Sequence, residues 1–192
     1  MRFFSCKTLL VSAALVIGLQ GANLSAAPQQ KAPSQQKVSM LEGKWVFNLP
    51  KEYVKNPMPE IDDKARAAGV TGSLYMNKAA QRVVIVTETP LDSPEPVSSN
   101  DEATLAGIIA ATLEQQQASY QNFKQLGDVK KIVRRGLGLR QLDISGSVDG
   151  GKVLSTTVTA ASGKRMAMVN VISLEKDAKA HGDLLKGITS GK

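Results

Sequence analysis

The stretch LGLRQLDISGSVDGGKVLSTTVTAASGKRMAMVNVISL, residues 137–174, decides the fold. It reads as three consecutive strands joined by two tight turns, leading into a terminal helix. The turns are Asp149-Gly150-Gly151 and Ser162-Gly163, residue types that supply the positive φ of short hairpin loops. In the first strand, about residues 139–147, Leu142 and Ile144 share a face. In the second, residues 152–161, Leu154, Thr156, Val158 and Ala160 alternate with Val153, Ser155, Thr157 and Thr159. The first of these sets is the more apolar and is expected to face a core. The second is mostly hydroxyls and suits a half-wet face. In the third strand Met166, Met168, Ile172 and Leu174 oppose Ala167, Val169 and Val171. A strand apolar on both faces is expected at the centre of a covered sheet. Asn170 interrupts one of those faces and needs a hydrogen-bond partner if buried.

Two glycine patterns in this region are set aside. Residues 146–153 have the spacing of a phosphate-binding loop, but Val153 stands where Ser or Thr would hold magnesium, and alternating β-branched residues follow instead of a helix. Gly136-Leu137-Gly138 lacks the third glycine of a dinucleotide fingerprint.

Working outward, the 192 residues suffice for one domain with its own core. Arg2 and Lys7 precede an apolar run of about a dozen residues, too short for a comfortable membrane span. With Leu24-Ser25-Ala26 offering a cleavage site before Ala27, residues 1–26 read as a secretory signal peptide. Cys6 is the only cysteine and lies before the apolar run, not at the cleavage site, so the expected product is neither lipidated nor capable of a disulfide. Removing Arg2 and Lys7 lowers the formal charge from +7 to +5. That excess suits anionic surfaces such as phospholipid or lipopolysaccharide phosphates, and it is also ordinary for an exported protein. Export and the few, scattered aromatics argue against nucleic acid as a partner.

Residues 27–39 read as a disordered polar linker, and residues 40–192 as a single domain. Residues 44–49 form a strand with Trp45, Phe47 and Leu49 on one face, the tryptophan being a core anchor, and Pro50 ends it. Residues 51–69 are a long irregular insertion with a short helix near residues 61–68. Its acids Glu60, Asp62 and Asp63 suit a helix N-terminus and lack the ligand spacing of a calcium loop. Residues 70–77 and 82–89 form a hairpin whose second strand is apolar on both faces. After a Pro-rich loop, Ser99 and Glu102 have capping-box spacing. They open a helix with a stripe of Leu105, Ile108, Ile109, Thr112, Leu113, Gln116 and Tyr120. Residues 123–135 hold one further strand. A last helix, residues 175–188, has Ser173 as its candidate cap and His181, Leu184, Leu185 and Ile188 on one face.

Chemistry-bearing groups are sparse. His181 is the sole histidine, so with no mature cysteine a transition-metal site is not expected. No nucleophile motif accompanies it, and His181 reads as a residue at the rim of the core. No catalytic residues, metal or cofactor are expected. Lys130, Lys131, Arg134 and Arg135, with Arg140 nearby, form the main charge feature. Two readings stand: a charged, solvated edge protected from aggregation, or an anion-binding patch. A strand would point Lys131 and Arg135 one way and Lys130 and Arg134 the other. Tyr53, Met58 and Ile61 in the insertion likewise have two readings, as cover for one end of the core or as a partner-binding surface.

Four short stretches carry a family likeness: residues 41–50 (LEGKWVFNLP), residues 82–86 (RVVIV) with the acidic, Pro-containing loop after them, residues 113–116 (LEQQ) and residues 141–143 (QLD). In this order they resemble DcrB-like envelope proteins over nearly all of residues 40–188. The resemblance implies a Mog1/PsbP-like α+β fold, a mostly antiparallel sheet of about seven strands with two main helices packed on it. It implies a periplasmic place in the Gram-negative envelope, and brings no catalytic residues with it. The expected function is a non-catalytic accessory or interaction protein with an envelope protein partner. The alternative is a binder of anionic lipid or glycolipid through the basic patch, with a hydrolase as a third class. The chain departs from the family's lipoprotein pattern in lacking a cysteine at the processing site.

Overall fold

The alternating pattern of residues 137–174 becomes the centre of the sheet in the computed structural model, which describes residues 35–190. The expected signal peptide lies outside the described residues. Among the described residues ten strands form: β1 Gln35–Met40, β2 Trp45–Pro50, β3 Val54–Asn56, β4 Thr71–Asn77, β5 Arg82–Pro90, β6 Gln121–Gln125, β7 Lys130–Arg134, β8 Leu137–Val148, β9 Gly151–Ser162 and β10 Arg165–Leu174. The helices are α1 Asp63–Ala67, α2 Glu102–Ser119 and α3 Ala178–Ser190. Strands β1 and β2 make a separate ribbon. The other eight form one antiparallel sheet in the order β3-β4-β5-β10-β9-β8-β6, with β7 also paired to β8. This is the α+β architecture the patterning implies.

The doubly apolar strands β5 and β10 are indeed central, and helices or ribbon cover both faces. On the first face Val84, Val86, Leu137, Leu139, Val158, Ala160, Val169 and Val171 pack with Trp45, Phe47 and Leu49 of the ribbon and with Leu185 and Ile188 of α3. Trp45 is fully buried, and its indole N–H donates to the Ile188 carbonyl at 3.1 Å, satisfying one of the carbonyls that a helix C-terminus leaves open. On the second face α2 lies over β8 and β9, setting Leu105 against Ala161 and Met166, and Ile109 against Leu142 and Ile144. The other half of that face is covered by the insertion: Met58, Ile61 and Ala65 pack on Val70, Val83 and Ile85.

Several expectations are corrected. Residues 35–39, read as part of a disordered linker, belong to β1, which pairs along its whole length with β2 and buries Val38 and Met40. The hydroxyl face of β9 is dry: Ser155, Thr157 and Thr159 are buried, since the sheet has a second cover that alternation within one strand does not reveal. Helix α2 is capped by Asp101, whose carboxylate accepts from the Thr104 N–H at 2.8 Å; Ser99 instead faces the Ser162 hydroxyl. The single strand expected in residues 123–135 is two, β6 and β7, and β7 turns into β8 through Arg135 and Gly136, at φ 49° and 81°. The long insertion contains the short edge strand β3. Its helix runs where expected, capped by Asp62, which accepts from the Ala65 N–H at 2.7 Å.

Candidate functional site

The basic cluster does not assemble. Strand β7 divides it by parity, and each cation then finds its own partner. Lys130 pairs with Asp143 at 2.7 Å, and Lys131 with Glu102 at 2.8 Å. Arg140 is buried and bonds the other oxygen of the same Glu102, tying the N-terminus of α2 to the sheet. Arg134 donates to the Val46 carbonyl at 2.5 Å and reaches the Ile188 carbonyl at 3.5 Å, closing the ribbon and α3 onto β7; burial, then Arg135, lowers its pKa. Arg135 is exposed in the β7–β8 turn. Five cations adjacent in sequence therefore serve four separate places. They offer no common anion-binding surface.

The second candidate set is core. Tyr53, Met58 and Ile61 are 2%, 4% and 3% exposed, and Met58 also borders a groove between α2 and the insertion. They are core, as the first of the two readings held, but not at one end of it: Tyr53 belongs to the cluster on the first face, and Met58 and Ile61 to the cluster on the second, over β4 and β5. Gly72 shows how tightly: a Cβ there would lie 2.5 Å from Ile61 Cδ1 and 2.8 Å from Met58 Sδ.

His181 is deeper than the rim. Its Nδ1 lies 2.8 Å from the Ser173 hydroxyl and its Nε2 2.9 Å from the Thr156 hydroxyl, all three side chains being buried. Thr156 donates onward to Asp143 at 2.6 Å, while Arg82 Nε donates to Ser173 at 3.0 Å. Ser173 is thus occupied by the imidazole and Arg82 and does not cap α3. Burial pushes the His181 pKa down to about 4, with Asp143 opposing and Arg82 adding to the shift. Burial alone would raise the Asp143 carboxyl, but hydrogen bonds from Lys130, Thr156 and Gln141 hold it below the ordinary value. A serine beside a histidine, with an acid one threonine further on, resembles hydrolytic machinery only on paper. Ser173 is 1% exposed, so no substrate carbonyl reaches its oxygen.

One groove lies on the second face, between α2 and the insertion, with about 90 Å³ of space; wider clefts lie beside His181 and α3 (about 490 Å³), beside Tyr53 and Arg82 (about 450 Å³) and between β1 and β4 (about 420 Å³). The groove's floor is Ile85, Thr87 and Thr89 of β5, Thr157 of β9, and Met166, Met168, Asn170 and Ile172 of β10. Met58 and Val70 form one wall. Thr112, Gln116, Ser119 and Tyr120, on and just beyond α2, belong to the other. Asn170 finds the partners its position demands, donating to Thr157 at 2.8 Å and Ser155 at 2.9 Å. Gln116 Nε2 donates to the same Thr157 oxygen at 2.5 Å, but Gln116 Oε1 is buried without a partner. Burial raises the Tyr120 pKa, so its hydroxyl stays protonated. Sequence reading singled out Met166, Met168, Asn170, Gln116 and Tyr120 one element at a time; only the pairing order brings them together.

Among the described residues, no three His, Cys, Asp or Glu side chains gather in a way that could hold a metal ion. Nor is any described helix long and apolar enough to cross a membrane. No family model and no curated protein matches the chain. Solved structures do. Cyanobacterial PsbP (CyanoP) from Synechocystis sp. PCC 6803 superposes with a TM-score of 0.59 at 10% identity, over 87% of this chain and 95% of that one. LpqN, involved in cell envelope biogenesis of Mycobacterium tuberculosis, gives 0.47 at 14% identity over 81% and 87%. A Pseudomonas aeruginosa protein of unknown function gives 0.42 at 14% over 80% and 92%. The first of these defines the class: the chain has a PsbP-like fold. At such identity the likeness carries architecture and no activity.

Proposed function

We propose that this chain is an exported, periplasmic, non-catalytic accessory protein of the Gram-negative cell envelope, DcrB-like in family and acting by binding. The observation that carries the reading is the character of the groove. It holds thioethers, hydroxyls and amides, with no acid, base or metal-binding set, while the one imidazole is locked in the core between two buried hydroxyls. Such a surface orients and holds a ligand; general acid–base or nucleophilic chemistry needs groups it does not contain. The apolar run and small residues before Ala27 support export without lipidation. Cross-linking in intact cells followed by purification tests this directly. The expected result is an envelope partner retained by a mature chain that begins near residue 27, with an unlipidated N-terminus by mass spectrometry. A turnover that disappears with Ser173→Ala or His181→Asn, or a lipidated or cytoplasmic product, would contradict it.

A further inference from the structure

We propose that Arg82 anchors a second binding site, for the carboxylate of a small, singly charged organic anion. The site is separate from the groove and does not rest on it. Arg82 alternates along β5 with Val84 and Val86 and so belongs to the first face. There the open end of the ribbon, at Gln35 and Pro50, stands off from Ala180 and Leu184 of α3. The cleft between them has about 450 Å³ of space, and Arg82 lines it. That is room for a small molecule. Its walls are open to solvent: Gln35, Pro50 and Ala180 are exposed and Leu184 is half-buried.

Charge is the first argument. Arg82 is 9% exposed, and a guanidinium stays protonated wherever it is placed. Elsewhere the fold answers such groups: the buried Arg140 meets Glu102, and Arg165 meets Glu88 at 2.9 Å. Arg82 forms no ion pair among the described residues, although Glu52, Asp177 and Asp183 line the two clefts that it lines. A cation taken out of water without a counter-ion is costly, and an anion that reaches it recovers that cost.

Hydrogen bonding gives the second. Arg82 Nε is spent on Ser173 at 3.0 Å, which fixes the plane of the guanidinium. The two terminal nitrogens bond no described residue and are not sealed from solvent. That free edge is the fork that takes both oxygens of a carboxylate. Tyr53 marks the same spot as under-satisfied. Its hydroxyl is buried without a partner, close enough to Arg82 for the guanidinium to oppose the rise that burial causes in the phenol pKa. The third argument is the rim. Asp183 is held by Lys179 at 2.8 Å and Lys186 at 3.4 Å, while Glu52 is exposed and forms no ion pair among the described residues. Two rim carboxylates and one floor guanidinium suit a single negative charge and repel a dianion. Pro50 and Leu184 offer apolar contact to a short alkyl tail.

The test is an NMR titration of the isotopically labelled chain at neutral pH with butyrate, its neutral isostere butyramide, and inorganic phosphate. Butyrate is expected to saturate one site in the millimolar range, with shifts centred on Tyr53, Asn77, Arg82 and Leu184. Butyramide should give no saturable shift there, and phosphate should bind more weakly than butyrate. Arg82→Gln should weaken butyrate at least about tenfold. Arg82→Lys, which keeps the charge and loses the fork, should weaken it several-fold and serves if the first variant does not fold. Glu52→Gln should bind butyrate at least as tightly as the parent, and Arg135→Gln should leave binding unchanged. No saturation by the folded parent chain, equal binding of butyramide, tighter binding of phosphate, or full affinity in a folded Arg82 variant would each overturn the proposal. So would loss of binding in Glu52→Gln, which would make Glu52 part of the site and not its repelling rim. All of these readouts lie on the first face, so the site can fail while the reading of the groove stands.

Discussion

His181 is the residue whose environment has the clearest measurable consequence. Its folded pKa of about 4 lies below the ordinary 6.5, because burial penalises the imidazolium. Between those values the unfolded chain binds the proton and the folded chain does not. Stability is therefore fully present above pH 6.5 and is lost as pH falls toward 4, by about 3 kcal/mol from this group alone. Urea unfolding at pH 7.5 and 4.5 should show a smaller loss for His181→Asn than for the parent chain; equal losses would mean the imidazole is not desolvated. Gly72 makes a second prediction at this scale. Its missing Cβ admits Met58 and Ile61 onto β4, so Gly72→Ala forces a repacking expected to cost about 1–3 kcal/mol by the same measurement. At Glu102 a single carboxylate answers Lys131 on the surface and the buried Arg140 together. Glu102→Gln should lower the thermal midpoint, and Arg140→Leu in the same chain should recover part of the loss by removing the stranded guanidinium.

Among the elements, ribbon and insertion carry the predictions that sequence alone left open. A chain starting at residue 41 lacks β1, and with it the buried Val38 and Met40 and the edge that β2 pairs with. It should melt well below a chain starting at residue 35, an outcome that a disordered linker would not produce. In the insertion, Met58→Ala and Ile61→Ala should each cost about 2–5 kcal/mol, since both side chains are core. Legibility follows the same division. Strands β5, β9 and β10, both hairpin turns of the meander and the apolar stripe of α2 were readable, because period-two and helical patterns with Gly-containing turns are local signals. The β7–β8 turn was not, because Arg135 takes a positive φ with no Asn, Asp or Pro beside Gly136 to signal it. Strand β1 was not: Gln35, Gln36 and Lys37 have linker composition, and only pairing with β2 orders them. The Asp101 cap was hidden by Ser99, which offers the same chemistry two residues earlier. The fate of the cations could not be read locally, because Glu102, Asp143 and the Val46 carbonyl are far from them in sequence and near only in the fold.

For the whole molecule, a sheet covered on both faces spends most of its alternation on burial, and function is left to the seam between covers. On the first face, ribbon and α3 meet the sheet over the main core cluster. On the second, α2 and the insertion cover separate halves and leave β5 and β10 partly open between them. The proposed binding function of this PsbP-like chain rests on that seam. The decisive measurement is the backbone and methyl NMR spectrum of the isotopically labelled chain during titration with detergent-free envelope extract. The account predicts shifts concentrated on Thr87, Thr89, Gln116, Met166, Met168 and Asn170, no accumulation of a reaction product, and loss of the shifts with Met168→Lys. Shifts centred on Lys130, Lys131 and Arg135, or on the Ser173–His181 pair with product formed, would contradict it.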